Sequence, residues 1–158
     1  MRVGVGYDAH RLVAERPLVL GGVSVPYNYG LAGHSDGDVV VHAIIDALLG
    51  AAALGDIGVH FPSADPRYEG VDSLLLLAKV RDLLAENGWQ VRNVDATIVA
   101  EHPRLAPYVA QMRQGVGLPL GLESNLVSIK ATTADGLGFT GNAEGIAAHA
   151  VVSIESIP

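Results

Sequence analysis

The chain contains no cysteine, which excludes a disulfide framework, a thiolate metal site and a thiol nucleophile. Any transition metal must therefore be held by His, Asp or Glu. Charge is also scarce. Charged residues make up 17% of the chain and hydrophobic residues 49%, against roughly 25% charged in an ordinary soluble domain. So little charge on a small domain implies surface hidden in an oligomer. No Lys/Arg cluster occurs and the net charge is −7, which argues against nucleic acid and anionic membrane as partners. An anionic ligand would need its counter-charge from metal ions or backbone N–H groups. Apolar runs fall far short of the ~18–20 residues of a membrane span. The N-terminus, Met1-Arg2-Val3-Gly4-Val5-Gly6, has no signal-peptide pattern. The expectation is a cytoplasmic chain forming one domain over residues 1–158.

Alternation and helical periodicity supply the element order. Residues 2–7 read as a strand, ending at Asp8-Ala9-His10. Pro17 to Pro26 reads as a hairpin around Gly21-Gly22, and a helix runs from about Asp38 to about Ala53. Leu54–Gly58 stops that helix, and Phe61–Tyr68, with two prolines, reads as a loop or flap. A second helix is capped by Asp72 or Ser73, places Leu74, Leu77, Val80 and Leu84 near one face, and ends at Gly88. Asn93–Ala100 suits a strand, Arg104–Gln114 a helix, Leu126–Ala131 a strand, and Glu144–Ile157 a closing β segment. The expected fold is α/β (α+β): a single mixed sheet with helices on one face.

Two polar concentrations stand out. Asp8 and His10 are two apart on an extended chain and so face the same side, and His42 sits about one turn inside the first helix. Together they offer three N/O ligands with a fourth position open, the pattern of a catalytic zinc site. The same residues also suit a turn at Asp8–His10 with a hydrogen-bonded core histidine at His42. Asp46, one turn beyond His42, either holds that ring or is solvated. The second concentration is Lys130-Ala131-Thr132-Thr133-Ala134-Asp135-Gly136 through Gly141. Hydroxyls, a carboxylate and glycines after a strand suit phosphate with a hard cation on Asp135, or a Gly-rich turn with Thr capping. Two other motifs fail. Gly4-Val5-Gly6-Tyr7-Asp8-Ala9 lacks the preceding strand of a dinucleotide site and sets Asp8 against the pyrophosphate. Asp36-Gly37-Asp38 has Ala47, not Glu, at calcium-loop position twelve.

Tyr7-Asp8-Ala9-His10, Gly33-His34-Ser35-Asp36-Gly37-Asp38 through His42, Leu54-Gly55-Asp56-Ile57-Gly58, and Lys130-Ala131-Thr132-Thr133 with Gly138-Phe139-Thr140-Gly141 occur in order across nearly the whole chain. In these motifs the sequence resembles the 2-C-methyl-D-erythritol 2,4-cyclodiphosphate synthase family of non-mevalonate isoprenoid biosynthesis. The resemblance implies a phosphorus–oxygen lyase that converts 4-diphosphocytidyl-methylerythritol 2-phosphate to the cyclic diphosphate and CMP. It implies zinc, or another divalent metal, on Asp8, His10 and His42, and Mg²⁺ or Mn²⁺ bound through Asp135. His34 and Thr133 match the groups that align and polarise the diphosphate, and His34 and Ser35 match contacts to the methylerythritol phosphate. Asp56 and Gly58 match ribose contacts, and Ala100, Pro103, Ala106 and Ala131–Thr133 the cytidine side. Asp8, His10, Phe61, Asp65, Asp135, Phe139 and Asn142 complete the implied substrate set. The family assembles as a homotrimer with sites between subunits.

Three positions depart from the family pattern: Asp135 for a common Glu, Ser63 for Asp in the flap, and Asn142 for an Arg near the trimer axis, beside a retained Glu144. His60, His102 and His149 read as surface or packing residues. Two rival activities suit the same residues: a zinc-dependent phosphoesterase using metal-bound water, and a nucleotide-binding trimer with structural zinc.

Overall fold

The computed structural model describes residues 1–158. In chain order the strands are β1 (Arg2–Ala14), β2 (Leu18–Leu20), β3 (Val23–Val25), β4 (Tyr29–Leu31), β5 (Trp89–Val99), β6 (Val127–Thr132) and β7 (Gly145–Ser156). The helices are α1 (Val39–Ala52), α2 (Ile57–His60), α3 (Ser73–Glu86), α4 (Val109–Leu120) and α5 (Gly138–Gly141). Five strands form one sheet in the order β4-β1-β7-β5-β6. It is mixed, because β5 and β6 run parallel while the other neighbours are antiparallel.

The expected single sheet is corrected to two, since β2 and β3 pair only with each other. Their turn is drawn to the helix layer instead. Gly21 and Gly22, at φ 58° and 75°, make the left-handed turn a two-residue hairpin needs, and their N–H groups donate to the Asp38 carboxylate at 2.9 and 2.7 Å. The same carboxylate accepts from Val41 N at 3.1 Å and so caps α1.

Alternation decides which face the helices cover. Gly4, Gly6, Ala96, Ile98, Ile146, Ala148, Ala150 and Val152 point under the helices and are buried, while Val3, Val5, Tyr7 and Val151 point the other way and are exposed. Every residue of α1 except Asp46 and Gly50 is buried. Each large aliphatic side chain there contributes roughly 1.5–3 kcal/mol by leaving water. Two glycines set how closely α1 approaches. A Cβ at Gly4 would lie 1.9 Å from the Ala47 carbonyl oxygen, and one at Gly6 would lie 1.8 Å from that of Ala43. The Gly-x-Gly of β1 is thus a seat for a helix backbone, and it brings the start of α1 over Asp8 and His10.

Several boundaries differ from expectation. β1 runs on through Asp8 and His10 to Ala14 rather than ending before them, because β7 pairs with it as far as Arg11. β4 has no sequence signal beyond three residues, yet it pairs with β1 from Leu12 to Ala14. The stop at Leu54–Gly58 holds the start of the short α2, capped by Asp56. The flap contains a 3₁₀ turn at Pro66–Tyr68, capped by Asp65. β5 begins four residues early, at Trp89, where pairing with β7 overrides its polar start. In α3 Leu76 is buried and Leu74 is only half-buried, packed against the core. The helix expected over Arg104–Gln114 is a 3₁₀ turn at Ala106–Tyr108 followed by α4, which continues to Leu120. Pro119 sits in its last turn, where few residues remain to be disrupted.

Candidate active site

Asp8 and His10 lie on the helix-facing side of β1, and His42 descends from the first turn of α1 between them. Asp8 Oδ2 is 2.7 Å from His10 Nε2 and 3.1 Å from His42 Nδ1, and the two ring nitrogens are 3.2 Å apart. These three are the one group of His and acidic side chains in the molecule placed to share a metal ion, with ligand atoms all within 4.8 Å. Each is oriented from behind. Asp8 Oδ1 accepts from Ala9 N at 2.9 Å, which leaves Oδ2 for the site. His10 Nδ1 donates to the Ala32 carbonyl at 2.6 Å. His42 Nε2 lies 3.0 Å from Ser35 Oγ and 2.9 Å from Ser73 Oγ.

The electrostatics follow from this crowding. Burial pushes the Asp8 carboxyl up, but hydrogen bonds from His10 and His42 outweigh it and hold its pKa at about 2. Its carboxylate in turn raises the His10 imidazole above the ordinary value, against the opposing effect of burial. Asp46 does not hold His42. Its carboxylate accepts from Ile57 N at 2.8 Å and so ties α2 to α1, and burial raises its pKa. Ser73, which the sequence offered only as a helix cap, is the residue found in that place.

The group opens into a cavity of about 240 Å³ lined by Asp8, His10, His34, Ser35, His42, Gly58, Phe61, Ser63 and two aliphatic side chains with Tyr68. No Lys or Arg lines it. His34 Nε2 donates to the Asp65 carbonyl at 3.0 Å, so the ring is braced by the flap. Of the other expected contacts here, Asp56 caps α2 through Val59 N at 3.0 Å. Asp65 pairs with Arg67, which lowers its pKa.

A second cavity of about 360 Å³ lies at the carboxyl ends of β5 and β6. This is the one parallel pair in the sheet, and ligands commonly bind beyond such strand ends. Ala100, Pro103, Ala106, Ala131, Thr132 and Thr133 all line it, with Glu101, His102 and Arg104. Thr133 Oγ1 donates to Asp135 Oδ1 at 3.3 Å, and Asp135 is exposed at φ 51°. Phe139 borders a smaller hollow with His10 and Glu144, and Asn142 ends α5 at the surface. Most of the expected site residues therefore line two separate cavities of one chain, while Asp56, Asp65, Asp135, Phe139 and Asn142 lie outside both. Of the other histidines, His60 Nε2 donates to the Leu54 carbonyl at 2.7 Å, His149 stands 4.9 Å from the Tyr7 ring, and His102 is exposed at the rim of the second cavity.

Residues 1–155 match the YgbB family. The chain is 61% identical over 155 residues to a 2-C-methyl-D-erythritol 2,4-cyclodiphosphate synthase from Syntrophomonas wolfei, covering 98% of this chain and 99% of that protein. The bifunctional IspDF from Campylobacter jejuni superposes with a TM-score of 0.95 at 37% identity, over 99% of this chain and 42% of that one. The CDP complex of IspF from Plasmodium falciparum superposes with a TM-score of 0.87 at 29% identity, over 99% and 97% of the two chains. Fold, metal-ligand group and relatives together define a lyase of isoprenoid biosynthesis. The chain belongs to the YgbB family, and its function is that of a 2-C-methyl-D-erythritol 2,4-cyclodiphosphate synthase.

Proposed function

We propose that residues 1–158 act as one cytoplasmic catalytic domain that converts 4-diphosphocytidyl-2-C-methyl-D-erythritol 2-phosphate to the cyclic diphosphate with release of CMP. The observation that carries this is the convergence of Asp8 Oδ2, His10 Nε2 and His42 Nδ1 on a cavity with no Lys or Arg. No helix of the chain is long and apolar enough to cross a membrane.

The donors fit a metal ion. Ala32 O can only accept, so His10 keeps a proton on Nδ1, and Nε2, which shares a proton with Asp8 in the metal-free chain, is the nitrogen that would face a metal ion. Two nitrogens and a carboxylate oxygen suit zinc or another divalent cation, and Asp135 beside Thr133 suits Mg²⁺ or Mn²⁺ on the diphosphate. Divalent cations at these places would supply the positive charge that the cavity walls lack and a template for the phosphates.

The chain's own residues do the rest. The 2-phosphate is already an anion, so no strong base is needed for its oxygen to attack the β-phosphorus. The bond from that phosphorus to the bridging oxygen breaks, and CMP departs with the electron pair. His34 and Ser35 would hold the methylerythritol phosphate end, with Phe61, Gly58, Asp56 and Asp65 around it. Thr133 would donate to the diphosphate, and the Ala100–Ala106 backbone would read the cytosine. Phe139 and Asn142 would close the rim.

The separation of the two cavities supports a homotrimer in which each site joins the metal cavity of one copy to the nucleotide cavity of the next. The exposed apolar face of β1 and β7, with Val3 at 62% and Val5 at 71% exposure, supports burial against further copies. Product analysis by phosphorus NMR tests the reaction. Cyclic diphosphate with stoichiometric CMP is expected; inorganic phosphate would make the chain a phosphoesterase, and no turnover a binding protein.

A further inference from the structure

One buried hydroxyl has no part in this chemistry, that of Ser73, the fully buried first residue of α3. Two hydroxyl oxygens lie within hydrogen-bond distance of His42 Nε2: Ser35 Oγ at 3.0 Å and Ser73 Oγ at 2.9 Å. They are not equivalent. Ser73 Oγ donates to Asp36 Oδ1 at 2.5 Å, and a carboxylate can only accept. Its hydrogen is committed there, so its lone pairs face His42. Asp36 is itself fixed, accepting from Ser73 N at 2.9 Å and from Asp38 N at 3.0 Å. Ser35, by contrast, borders the metal cavity, and Ser73 does not.

We propose that Asp36 and Ser73 form a positioning pair for His42. The chain from carboxylate to hydroxyl to imidazole holds a proton on Nε2, so that Nδ1, which shares a proton with Asp8 in the metal-free chain, is the nitrogen that would face a metal ion, and the Ser35 hydroxyl is left free to donate to a substrate phosphate. The inference rests on the metal-site reading and adds a division of labour between two serines that touch the same nitrogen. Partners of this kind behind a metal-bound imidazole typically change affinity by about 10–100-fold.

The test measures zinc affinity of the purified protein by competition with a chromophoric chelator, together with the absorption spectrum of the Co²⁺-loaded form. Ser73→Ala and the near-isosteric Ser73→Cys should each bind zinc about 10–100-fold more weakly and shift the Co²⁺ bands. Asp36→Asn should do the same, and combining it with Ser73→Ala should add little. Ser35→Ala should stay within about threefold of the parent in zinc affinity and lose instead in KM. Parent-like zinc affinity in both Ser73 variants overturns the proposal, including when their metal-free melting temperature falls, because that is the mark of a purely structural hydroxyl. An equal loss of zinc in Ser35→Ala overturns it too. A parent chain that binds no zinc removes the metal-site reading itself and is told apart at once.

Discussion

The two cavities of this chain are built in opposite ways. The cavity proposed for the metal is braced from behind at each of its three candidate ligands. Ala9, Ala32 and Ser73 stand behind its three ligands, and α1 lies on Gly4 and Gly6 with no room for a side chain between. The cavity proposed for the nucleotide is lined by the ends of two strands and a loop. Its side-chain hydrogen bonds are sparse and long, with Thr133 Oγ1 at 3.3 Å from Asp135 and Ala134 N at 3.4 Å from Glu101. A site that must hold a metal in fixed geometry needs preorganised ligands. A site that reads a base through main-chain groups needs only strand ends at the right spacing. The contrast also fits two half-sites that meet only when copies assemble.

The contrast makes unequal predictions. His42→Ala should lose bound metal and reduce turnover by more than about a hundred-fold. It should also destabilise the fold by about 1–3 kcal/mol, because a buried imidazole and its hydrogen bonds to Ser35 and Ser73 are removed; metal analysis, turnover and denaturant unfolding check the three together. Thr133→Ala should reduce turnover by about 10²–10³-fold, the usual cost of one donor to a developing charge. Metal content and unfolding should stay unchanged, because Thr133 is exposed. A fall in both activity and zinc in Thr133→Ala would erase the distinction between the cavities.

The smallest effect is a pH slope in the frame of the metal cavity. Burial, with a contribution from Asp36, pushes Asp38 from 3.8 up to about 6, against the three N–H groups it accepts from. The folded chain thus keeps a proton that the unfolded chain has released, and stability falls as pH rises from 3.8 to about 6. Thermal unfolding across that window should show the slope in the parent chain and a flatter one in Asp38→Asn.

What the sequence made legible follows from where local signals were strong. α1, α3 and β7 carry clean caps or alternation and were placed within a residue or two. β1 outruns its apolar pattern because Asp8, His10 and Arg11 interrupt it, at the end of the strand that carries two of the three clustered ligand groups. α4 was cut short because Gly115, Gly117 and Pro119 look like breakers; tertiary packing of Met112, Val116 and Leu120 carries the helix through them. The spacing of Asp8, His10 and His42 announced a metal group without proving it. Ser73 stayed hidden, since its side chain reaches a histidine 31 residues away and nothing local marks that contact. The nucleotide cavity came from resemblance alone, because strand ends and main-chain groups leave no distinctive residue pattern.

The account stands most directly on whether the two cavities of different copies form one site. The measurement is turnover after two inactive variants, His42→Ala and Thr133→Ala, are unfolded, mixed in equal amounts and refolded together. In randomly mixed trimers each variant supplies the cavity the other lacks, so activity should return to about a quarter of the parent value. Activity no higher than that of either variant alone would contradict a site shared between copies.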